Sequence, residues 1–330
     1  MKRFAIAVCA LILLAGCGEK VDVLRPKTDR QFQLMLDYFP NADHAPIYAA
    51  QARGYFRDAG LELKIRQPSD PSAPIKQVAA GRVDLAVSYE PEVLRARSEG
   101  LHVVAVGALV RGPLTSIISL PKAKIRGPKD LKGKTVGTAG IDYQHAYLQT
   151  ILEQANVAQD SVKERNLGFN LVPALVSGKV DAILGGFWNY EAIDLQQRGK
   201  KPRVIRMNDA GVPDYDELVF VANADALDRQ GPLIRRFLTA LRRGELLLRR
   251  DPASGVNALV KANRDLDPKL QSASVKATLP FFAPPAGKPY GWQDPKKWAS
   301  FASWMQDNGL IKTGAGGAST NRFLPGAPVG

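Results

Sequence analysis

The segment from Leu36 to His44 reads LDYFPNADH and concentrates side chains that can bind a ligand. It holds aromatic, amide, carboxylate and imidazole groups, and it lies between a predicted strand and a predicted helix. Ligands of open parallel sheets bind at the carboxyl ends of the strands, which is where this loop falls. The candidate binding residues are Asp37, Tyr38, Asn41 and His44. The alternative is that Asn41 or Asp43 only caps the helix.

A second segment, Gly185 to Glu191, reads GGFWNYE and follows a predicted strand. Its glycines allow a ligand to approach the backbone closely. Its aromatic side chains offer flat faces for stacking, and its amide and carboxylate offer specific hydrogen bonds. The alternative is an aromatic core cluster, but three nearly consecutive aromatic residues cannot all point inward, which favours binding. The candidates here are Gly186, Phe187, Trp188, Asn189 and Glu191.

Two further loops fit the same pattern. Ser88 and Tyr89 end a predicted strand and precede a helix, and the loop containing Gly140 and Tyr143 joins a strand to a helix in the second half. Because all four loops lie at carboxyl ends of strands, we expect them to converge on one cleft.

The elements that position these loops alternate between strand and helix. Period-two patterns predict strands, and amphipathic patterns predict helices. The predicted strands are 31–36, 61–66, 83–87, 102–110, 135–137 and 182–184; the predicted helices are 44–53, 75–80, 90–99 and 144–156. This alternation predicts an α/β fold with mostly parallel sheets flanked by helices.

The alternation restarts after a polar stretch, which predicts two lobes with the ligand cleft between them. Pro121 to Lys134 is rich in basic residues, proline and glycine and is interpreted as a crossover. The apolar run Leu218 to Asn223 is expected to return the chain to the first lobe. We assign residues 31–120 and 218–330 to lobe 1 and 121–217 to lobe 2, with hinge crossovers near 119–129 and 215–220.

The first residues have the pattern of an export signal. Lys2 and Arg3 precede an apolar run from Phe4 to Ala15, which is too short to span a bilayer. The sequence LAGC at Leu14 to Cys17 resembles a lipobox, so we predict a signal peptide at 1–16, lipidation of Cys17 and a lipid-anchored tether at 17–30. The alternative is an ordinary signal peptide with an incidental cysteine.

Several function classes find no support in the sequence. Gly127 to Thr135 reads GPKDLKGKT, but five residues separate the two glycines where a P-loop requires four. The three histidines are far apart and the only cysteines are Cys9 and Cys17, so we predict no catalytic motif, no metal site and no cofactor. The net charge is +13, but export argues against a nucleic-acid partner. Nothing indicates an oligomer, so we expect a monomer.

The predicted helix from Pro232 to Arg250 carries a distinct charge pattern. Arginine pairs recur at 235/236, 242/243 and 249/250, and this seven-residue spacing puts them on one side, opposite Phe237, Leu238, Leu241 and Leu248. The pattern is typical of a solvated face. The alternative is a docking surface for another protein or for lipid head groups.

Longer stretches resemble one family. LDYFPNADHAPIYAA, GYFRDAGLEL, VDLAVSYEPEVLRARSEGL, PLTSIISL, VPALVSGKVDAILGGFWNYEA, GVPDYDELVF and TNRFLP occur in this order. Together they resemble the periplasmic-type binding proteins of the NMT1/THI5 family, within the sulfonate- and nitrate-binder superfamily. The resemblance runs from about Phe32 to Leu324.

The resemblance implies a two-lobed, hinged periplasmic-binding-protein fold of type II, and an exported lipoprotein that delivers a thiamine pyrimidine precursor to an ABC permease and its ATPase. The implied ligand is a small aromatic heterocycle, a formylated or hydroxymethylated aminopyrimidine. The positions matching the pyrimidine site are Tyr38, Asn41, His44, Tyr89, Trp188 and Glu191. On this basis Glu191 is expected to accept from the exocyclic amine while Tyr38 and Trp188 sandwich the ring, and replacing Glu191 with Gln is expected to weaken binding well beyond tenfold.

Two alternatives remain at the sequence level. Eukaryotic members of the family are pyrimidine synthases with a cofactor lysine after the third strand. That position falls on Ser88 here, and the expected cysteine-rich segment is absent from Asp216 to Ala222. The other alternative is a binding protein of the same fold for riboflavin or an alkyl sulfonate. A sulfonate favours arginine, which neither main segment contains.

Overall fold

The computed structural model describes residues 30–327, which form two five-stranded sheets with helices on their faces. The predicted signal peptide, Cys17 and nearly all of the predicted tether lie outside the described residues. None of the described helices is long and apolar enough to cross a membrane.

The first sheet has the strand order β2-β1-β3-β10-β4. Its strands are β1 Arg30–Met35, β2 Leu61–Arg66, β3 Leu85–Ser88, β4 Val103–Val110 and β10 Leu218–Asn223. β1 is parallel to β2 and β3, whereas β10 is antiparallel to both β3 and β4. All of β4 is buried, which agrees with a strand covered on both faces.

The second sheet repeats this plan with the order β7-β6-β8-β5-β9. Its strands are β5 Thr115–Ser119, β6 Thr135–Thr138, β7 Lys163–Asn166, β8 Ala182–Phe187 and β9 Arg203–Arg206. β6 is parallel to β7 and β8, and β5 is antiparallel to β8 and β9. In each sheet the antiparallel strand is therefore the one that enters from the other lobe.

The helices connect the strands and form most of the C-terminal third. They are α1 Ala45–Ala52, α2 Tyr55–Asp58, α3 Ala73–Ala79, α4 Glu90–Ser98, α5 Asp142–Gln154, α6 Leu171–Val176, α7 Glu191–Gln197, α8 Leu227–Arg250, α9 Pro252–Ala262, α10 Pro268–Phe282 and α11 Pro295–Asp307. α8 packs its apolar side on the first sheet, where Phe237 stacks against Phe32 and Phe56.

The lobe boundary predicted at residue 120, and the crossover predicted near 119–129, are wrong. Residues 115–119 pair with β8 and β9 of the second sheet, and Ile117 and Ile118 are fully buried there. The first crossover is therefore the short stretch from Arg111 to Leu114, between β4 and β5. Gly112 and Pro113 break the strand pattern there, because proline cannot donate to a strand ladder.

The carboxylate of Glu217 joins the two crossovers. Its Oε2 accepts the backbone N–H groups of Leu114 and Thr115 at 2.6 and 2.8 Å and the Tyr215 hydroxyl at 3.1 Å, and its Oε1 accepts the Thr115 hydroxyl at 2.7 Å. The side chain is fully buried, and burial raises its pKa to about 7 against the opposing effect of these donors. Both chain segments that link the lobes are thus tied to one side chain.

Candidate ligand-binding site

The four candidate loops meet between the two sheets. An inner pocket there is lined from the first lobe by Asp37, Tyr38, Asn41 and Tyr89, and from the second by Ala139, Ile141, Gln144, Leu171, Gly185, Phe187, Tyr190 and Glu191. These residues lie at or just after the carboxyl ends of β1, β3, β6, β7 and β8. Parallel strands converge at this edge, which explains why loops far apart in sequence share one pocket.

The carboxylate of Asp37 is held in place by two side chains of the first lobe. His44 Nδ1 accepts the backbone N–H of Asn41 at 3.2 Å, so its proton is assigned to Nε2, which donates to Asp37 Oδ1 at 2.8 Å. The Tyr89 hydroxyl donates to Asp37 Oδ2 at 2.7 Å. Both carboxylate oxygens are engaged, so Asp37 presents a fixed negative edge to the pocket.

Glu191 provides the second carboxyl of the pocket. Its Oε2 accepts the backbone N–H of Phe187 at 2.7 Å, and Oε1 is not engaged by another side chain. Burial raises the pKa of this carboxyl to about 8, and the negative charges of Asp43 and Asp194 act in the same direction. At neutral pH the group is therefore mainly a carboxylic acid, which can donate one hydrogen bond and accept another.

The pocket opens outward into a larger chamber of about 430 Å³. Tyr38, Leu171, Tyr190 and Glu191 line both spaces, whereas the inner pocket itself encloses only about 20 Å³. Tyr38 contacts Phe169 of the second lobe edge-on, with ring centroids 4.8 Å apart. The inner pocket as it stands has room for roughly one water molecule, so a heterocycle enters only if the lobes or these aromatic rings move apart.

Charge in the two spaces is predominantly negative. No Lys, Arg or His lines the inner pocket, and the outer chamber has the carboxylates of Asp194, Asp265 and Asp267 against Arg198 alone. The Arg198 Nε donates to Asp194 Oδ1 at 2.8 Å, which neutralises that charge. Such a lining disfavours an anionic ligand, although the whole chain is basic.

Sequence reasoning missed Gln144, which lines the inner pocket from the first turn of α5. Its Oε1 accepts the backbone N–H of Ala139 at 2.8 Å, which orients the amide. Gly185 faces it with φ +103, and a Cβ there would lie 2.3 Å from Gln144 Nε2. The signal was present, because Gln144 follows the GTAGIDY loop, but a polar residue in a first helical turn is also typical of a cap.

Two candidates of the first lobe lie behind the pocket and do not line it. His44 is fully buried, and it reaches the pocket only indirectly, by its hydrogen bond to Asp37. Ser88, at the end of β3, is also fully buried, and its hydroxyl donates to Oε2 of Glu92, in the first turn of α4, at 2.5 Å. Neither side chain lines the pocket in this structure, and their contact with a ligand stays a prediction.

Three candidates of the second lobe have structural environments instead. Gly140 has φ +80, and a Cβ would lie 2.3 Å from the amide of Asn166. Tyr143 is fully buried, with its ring 5.2 Å from that of Tyr89. A Cβ on Gly186 would lie 2.9 Å from the Ile183 side chain. Since β8 extends to Phe187, successive residues face opposite sides of the sheet, and Gly185 rather than Gly186 faces the pocket.

The structure does not bring Tyr38 and Trp188 to opposite sides of the pocket, and the predicted sandwich stays a prediction. Trp188 lines neither space: its indole N–H donates to the Pro113 carbonyl at 3.0 Å, its ring meets Phe281 edge-on, and the Arg206 guanidinium lies 4.2 Å from its centroid. The residue packs beside the first crossover because it points away from its neighbours Phe187 and Tyr190.

Asn189 connects the two lobes. Its amide Nδ2 donates to Asp43 Oδ1 at 2.7 Å and lies 2.6 Å from the Thr278 hydroxyl, which donates to the same Asp43 oxygen at 3.0 Å. Burial raises the pKa of Asp43 to about 6. Asn189 is therefore an interlobe contact and not a pocket residue, contrary to its predicted role.

The donor set does not suggest a metal. Within residues 30–327, no three His, Cys, Asp or Glu side chains are grouped so as to hold a metal ion.

Comparison with known proteins identifies related sequences. The family described as NMT1/THI5 like matches residues 41–254. A formylaminopyrimidine-binding protein of Halalkalibacterium halodurans is 34% identical over 311 residues, covering 92% of this chain and 94% of that protein. A putative thiamine biosynthesis protein of Haemophilus influenzae is 36% identical and covers 85% and 88%. A 4-amino-5-hydroxymethyl-2-methylpyrimidine phosphate synthase of Legionella pneumophila is 26% identical and covers 89% and 92%.

Solved structures show the same fold at low sequence identity. A Bordetella bronchiseptica protein has a TM-score of 0.71 with 19% identity, covering 89% of this chain and 95% of that one. The alkanesulfonate-binding protein of Xanthomonas axonopodis pv. citri, bound to MOPS, has a TM-score of 0.67 with 19% identity, covering 89% and 99%. The predicted two-lobed binding-protein fold is confirmed, and so is the predicted family.

Proposed function

Because the chain belongs to the NMT1/THI5-like family, we propose that it is the solute-binding component of an ABC importer for a thiamine pyrimidine precursor. The ligand class is a formylaminopyrimidine or hydroxymethylpyrimidine, by analogy with the formylaminopyrimidine-binding relative. The protein would capture this molecule outside the cytoplasm and deliver it to the permease, which its ATPase drives.

The inner pocket carries this proposal. It combines two buried carboxyls, Asp37 and Glu191, with aromatic side chains and two amides, and it contains no basic side chain. A neutral, flat heterocycle with an exocyclic amine matches that lining. The amine donates to carboxyl oxygens, and the ring packs on aromatic surface.

Glu191 is suited to the edge of an aminopyrimidine. In its acid form the carbonyl oxygen accepts from the amine while the hydroxyl donates to the neighbouring ring nitrogen, which gives two parallel hydrogen bonds. The raised pKa of about 8 favours this form at neutral pH. The fixed carboxylate of Asp37 is placed to accept a further N–H from the ligand, and Tyr38 and Tyr190 supply ring contacts near the mouth.

Ligand entry requires motion, because the inner pocket is far smaller than a pyrimidine. We propose that the lobes rotate about the crossovers joined by Glu217, as binding proteins of this shape close around their ligands. Opening separates Tyr38 from Phe169 and breaks the Asn189–Asp43 hydrogen bond. Small-angle scattering would detect this as a larger radius of gyration for the ligand-free protein, and identical profiles would argue against it.

We also propose export and lipid anchoring. The evidence is the sequence alone: a basic start, an apolar run and LAGC ending at Cys17. Replacing Cys17 with Ser should move the processed protein from the membrane fraction to the soluble fraction. A processed wild-type chain that is already soluble would contradict the anchor but not the binding role.

Two of the three alternatives are each disfavoured by a particular feature, and the third, riboflavin, is separated by the binding measurement below. A sulfonate needs a cationic partner, and the inner pocket offers none. A synthase of the family needs an amine for a Schiff base, and no lysine lines either chamber. Riboflavin also stacks and has no strong charge, so its exclusion depends on measurement.

The test is a thermal-shift panel on residues 18–330 with formylaminopyrimidine, hydroxymethylpyrimidine, thiamine, riboflavin and taurine. A ligand at about 100 times its dissociation constant stabilises by about 2.7 kcal/mol, which corresponds to a shift of about 5–10 °C for a chain of this size. A shift with a pyrimidine alone supports the proposal. A shift only with riboflavin or taurine would replace the ligand and retain the transport role.

A further inference from the structure

Helix α8 presents a strongly basic face to solvent. Its sequence contains seven arginines and two acidic residues, and one of the acids, Glu245, is buried. The opposite side, with Phe237, Leu238 and Leu241, is packed in the core. The arginines are therefore confined to the outer surface of the longest described helix.

The first half of this helix lies at one end of the first sheet. Gln230 of α8 donates to Asp84, immediately before β3, at 3.3 Å. A Cβ on Gly60, immediately before β2, would lie 3.6 Å from the Arg236 guanidinium, and the Arg30 N–H at the start of β1 donates to the Gly60 carbonyl. The N-terminal half of α8 thus borders the edge where the parallel strands begin. The C-terminal half runs toward the edge where they end, because a Cβ on Gly244 would meet Pro46 at the start of α1.

Much of its charge is not neutralised within the described residues. Arg243 pairs with Asp58 and Arg249 with Glu245. Four other arginines of the helix are exposed: Arg229, Arg236, Arg242 and Arg250. Among residues 30–327, none of these four forms an ion pair. A dense, exposed and unpaired row of guanidinium groups fits an anionic surface.

A groove beside this face adds a second feature. It encloses about 500 Å³ and is lined by Leu227, Gly231, Pro232 and Phe323 together with Asp228, Arg235, Arg236 and Arg322; Asp228 pairs with Arg322 at 3.3 Å. The groove combines apolar side chains with guanidinium groups, which suit the glycerol and phosphate portions of a lipid head group.

We propose that the α8 arginine face, defined as Arg229, Arg236, Arg242 and Arg250 with the adjacent groove, binds the anionic head groups of the membrane that carries the lipid anchor. This inference rests on the proposed anchoring, since Cys17 precedes Arg30 by a tether that spans at most about 45 Å when fully extended. Arginines near an anionic bilayer surface each contribute to attachment, and guanidinium groups pair bidentately with phosphate.

The experiment is a vesicle sedimentation assay with residues 18–330, which contain both sheets but no acylated cysteine. Vesicles of phosphatidylglycerol and phosphatidylcholine are compared with phosphatidylcholine alone. The test variant replaces the four arginines of the α8 arginine face with Gln. The matched control replaces four exposed lysines of the second lobe, Lys122, Lys124, Lys129 and Lys132, with Gln.

We expect the wild-type chain to bind only the anionic vesicles, and the arginine variant to lose at least about tenfold in affinity, with each arginine near an anionic surface worth about fivefold. The lysine variant should stay within about twofold. Binding should weaken as the Debye length falls from about 30 Å to about 8 Å with added salt. Absence of wild-type binding, or equal loss in both variants, would overturn the inference. An unchanged thermal shift with the pyrimidine ligand shows that both variants fold and tests the proposed function separately.

Discussion

If Glu191 binds the ligand as a carboxylic acid, affinity must depend on pH in a defined direction. The folded, ligand-free pKa is about 8, so the acid form predominates below it. Ligand that binds only this form loses affinity as the group ionises. The dissociation constant should be flat below about pH 7 and should rise about elevenfold by pH 9, equivalent to about 1.4 kcal/mol, because each pH unit above the pKa is worth about 1.36 kcal/mol.

Of the neighbouring groups, Glu92 behind Ser88 titrates in the same window, because burial raises its pKa to about 8; the Glu191→Gln variant, which retains Glu92, separates the two groups. Burial raises the pKa values of Tyr38 and Tyr190, so neither hydroxyl ionises below pH 9, and Asp43 with its pKa of about 6 titrates below the window. Isothermal titration calorimetry with formylaminopyrimidine measures the affinity. It also measures proton uptake of about 0.9 per ligand at pH 9 through the dependence of the enthalpy on buffer ionisation.

The control is Glu191→Gln. The amide reproduces the acceptor and donor of the neutral acid but does not titrate, so its affinity should stay within several-fold of wild type at pH 7 and should not change with pH. The earlier hypothesis of a carboxylate that accepts from the amine predicts the opposite: a loss well beyond tenfold on substitution and tighter binding at higher pH. Affinity that rises with pH, or release of a proton on binding, would refute the acid form.

Three further substitutions test other parts of the structure. Trp188→Phe should leave ligand affinity within about twofold, since the ring lines neither chamber. It should lower the free energy of unfolding by about 1 kcal/mol, because the hydrogen bond to Pro113 is lost. Calorimetry measures the affinity and urea unfolding the stability, and a large loss of affinity would support stacking of Trp188 on the ligand. Asn189→Ala should destabilise the protein by about 2–3 kcal/mol at pH 7.5 and by less at pH 5. At pH 5 Asp43, with its raised pKa, is protonated, so the substitution leaves less buried charge unpaired. An equal loss in urea midpoint at both pH values would contradict this. Glu217→Ala should lower the free energy of unfolding by about 3–5 kcal/mol, because buried backbone donors lose their acceptor. Glu217→Gln should lower it by less than about 1 kcal/mol, because the amide oxygen can replace Oε2 and the Thr115 hydroxyl can turn to accept. Similar urea midpoints for the two variants would argue against a structural role of Glu217 at the crossovers.

Elements with strong local patterns were predicted well from the sequence. The alternation in Leu61–Arg66 gives β2 with the bounds that the structure shows, because one face of this strand is buried and the other exposed. β5 and β7 were missed for opposite reasons. TSIIS is buried on both faces and shows no alternation, and KERN is an exposed edge strand without an apolar residue. Sequence periodicity reports one-sided burial, and neither strand has it.

The site could be located from sequence but not resolved into roles. Loop position at strand ends selected Asp37, Tyr38, Tyr89 and Glu191 because topology alone brings such ends together. Which side chain of FWNYE faces the cleft depends on where β8 ends, and the strand continues to Phe187, beyond its predicted end. That shift turns Trp188 toward the crossover. The raised pKa of Glu191 arises from burial by both lobes, which no local sequence pattern encodes.

The exchange of strands between the two sheets also dictates an order of assembly. β10 lies between β3 and β4, yet the whole second sheet, from Thr115 to Arg206, precedes it in the chain. A polypeptide that emerges N-terminus first completes the second sheet once β9 is available, while the first sheet keeps an open slot with two unpaired strand edges until Leu218–Asn223 arrives. We therefore expect the second lobe to fold first. A chain stalled before β10 would expose those edges to aggregation.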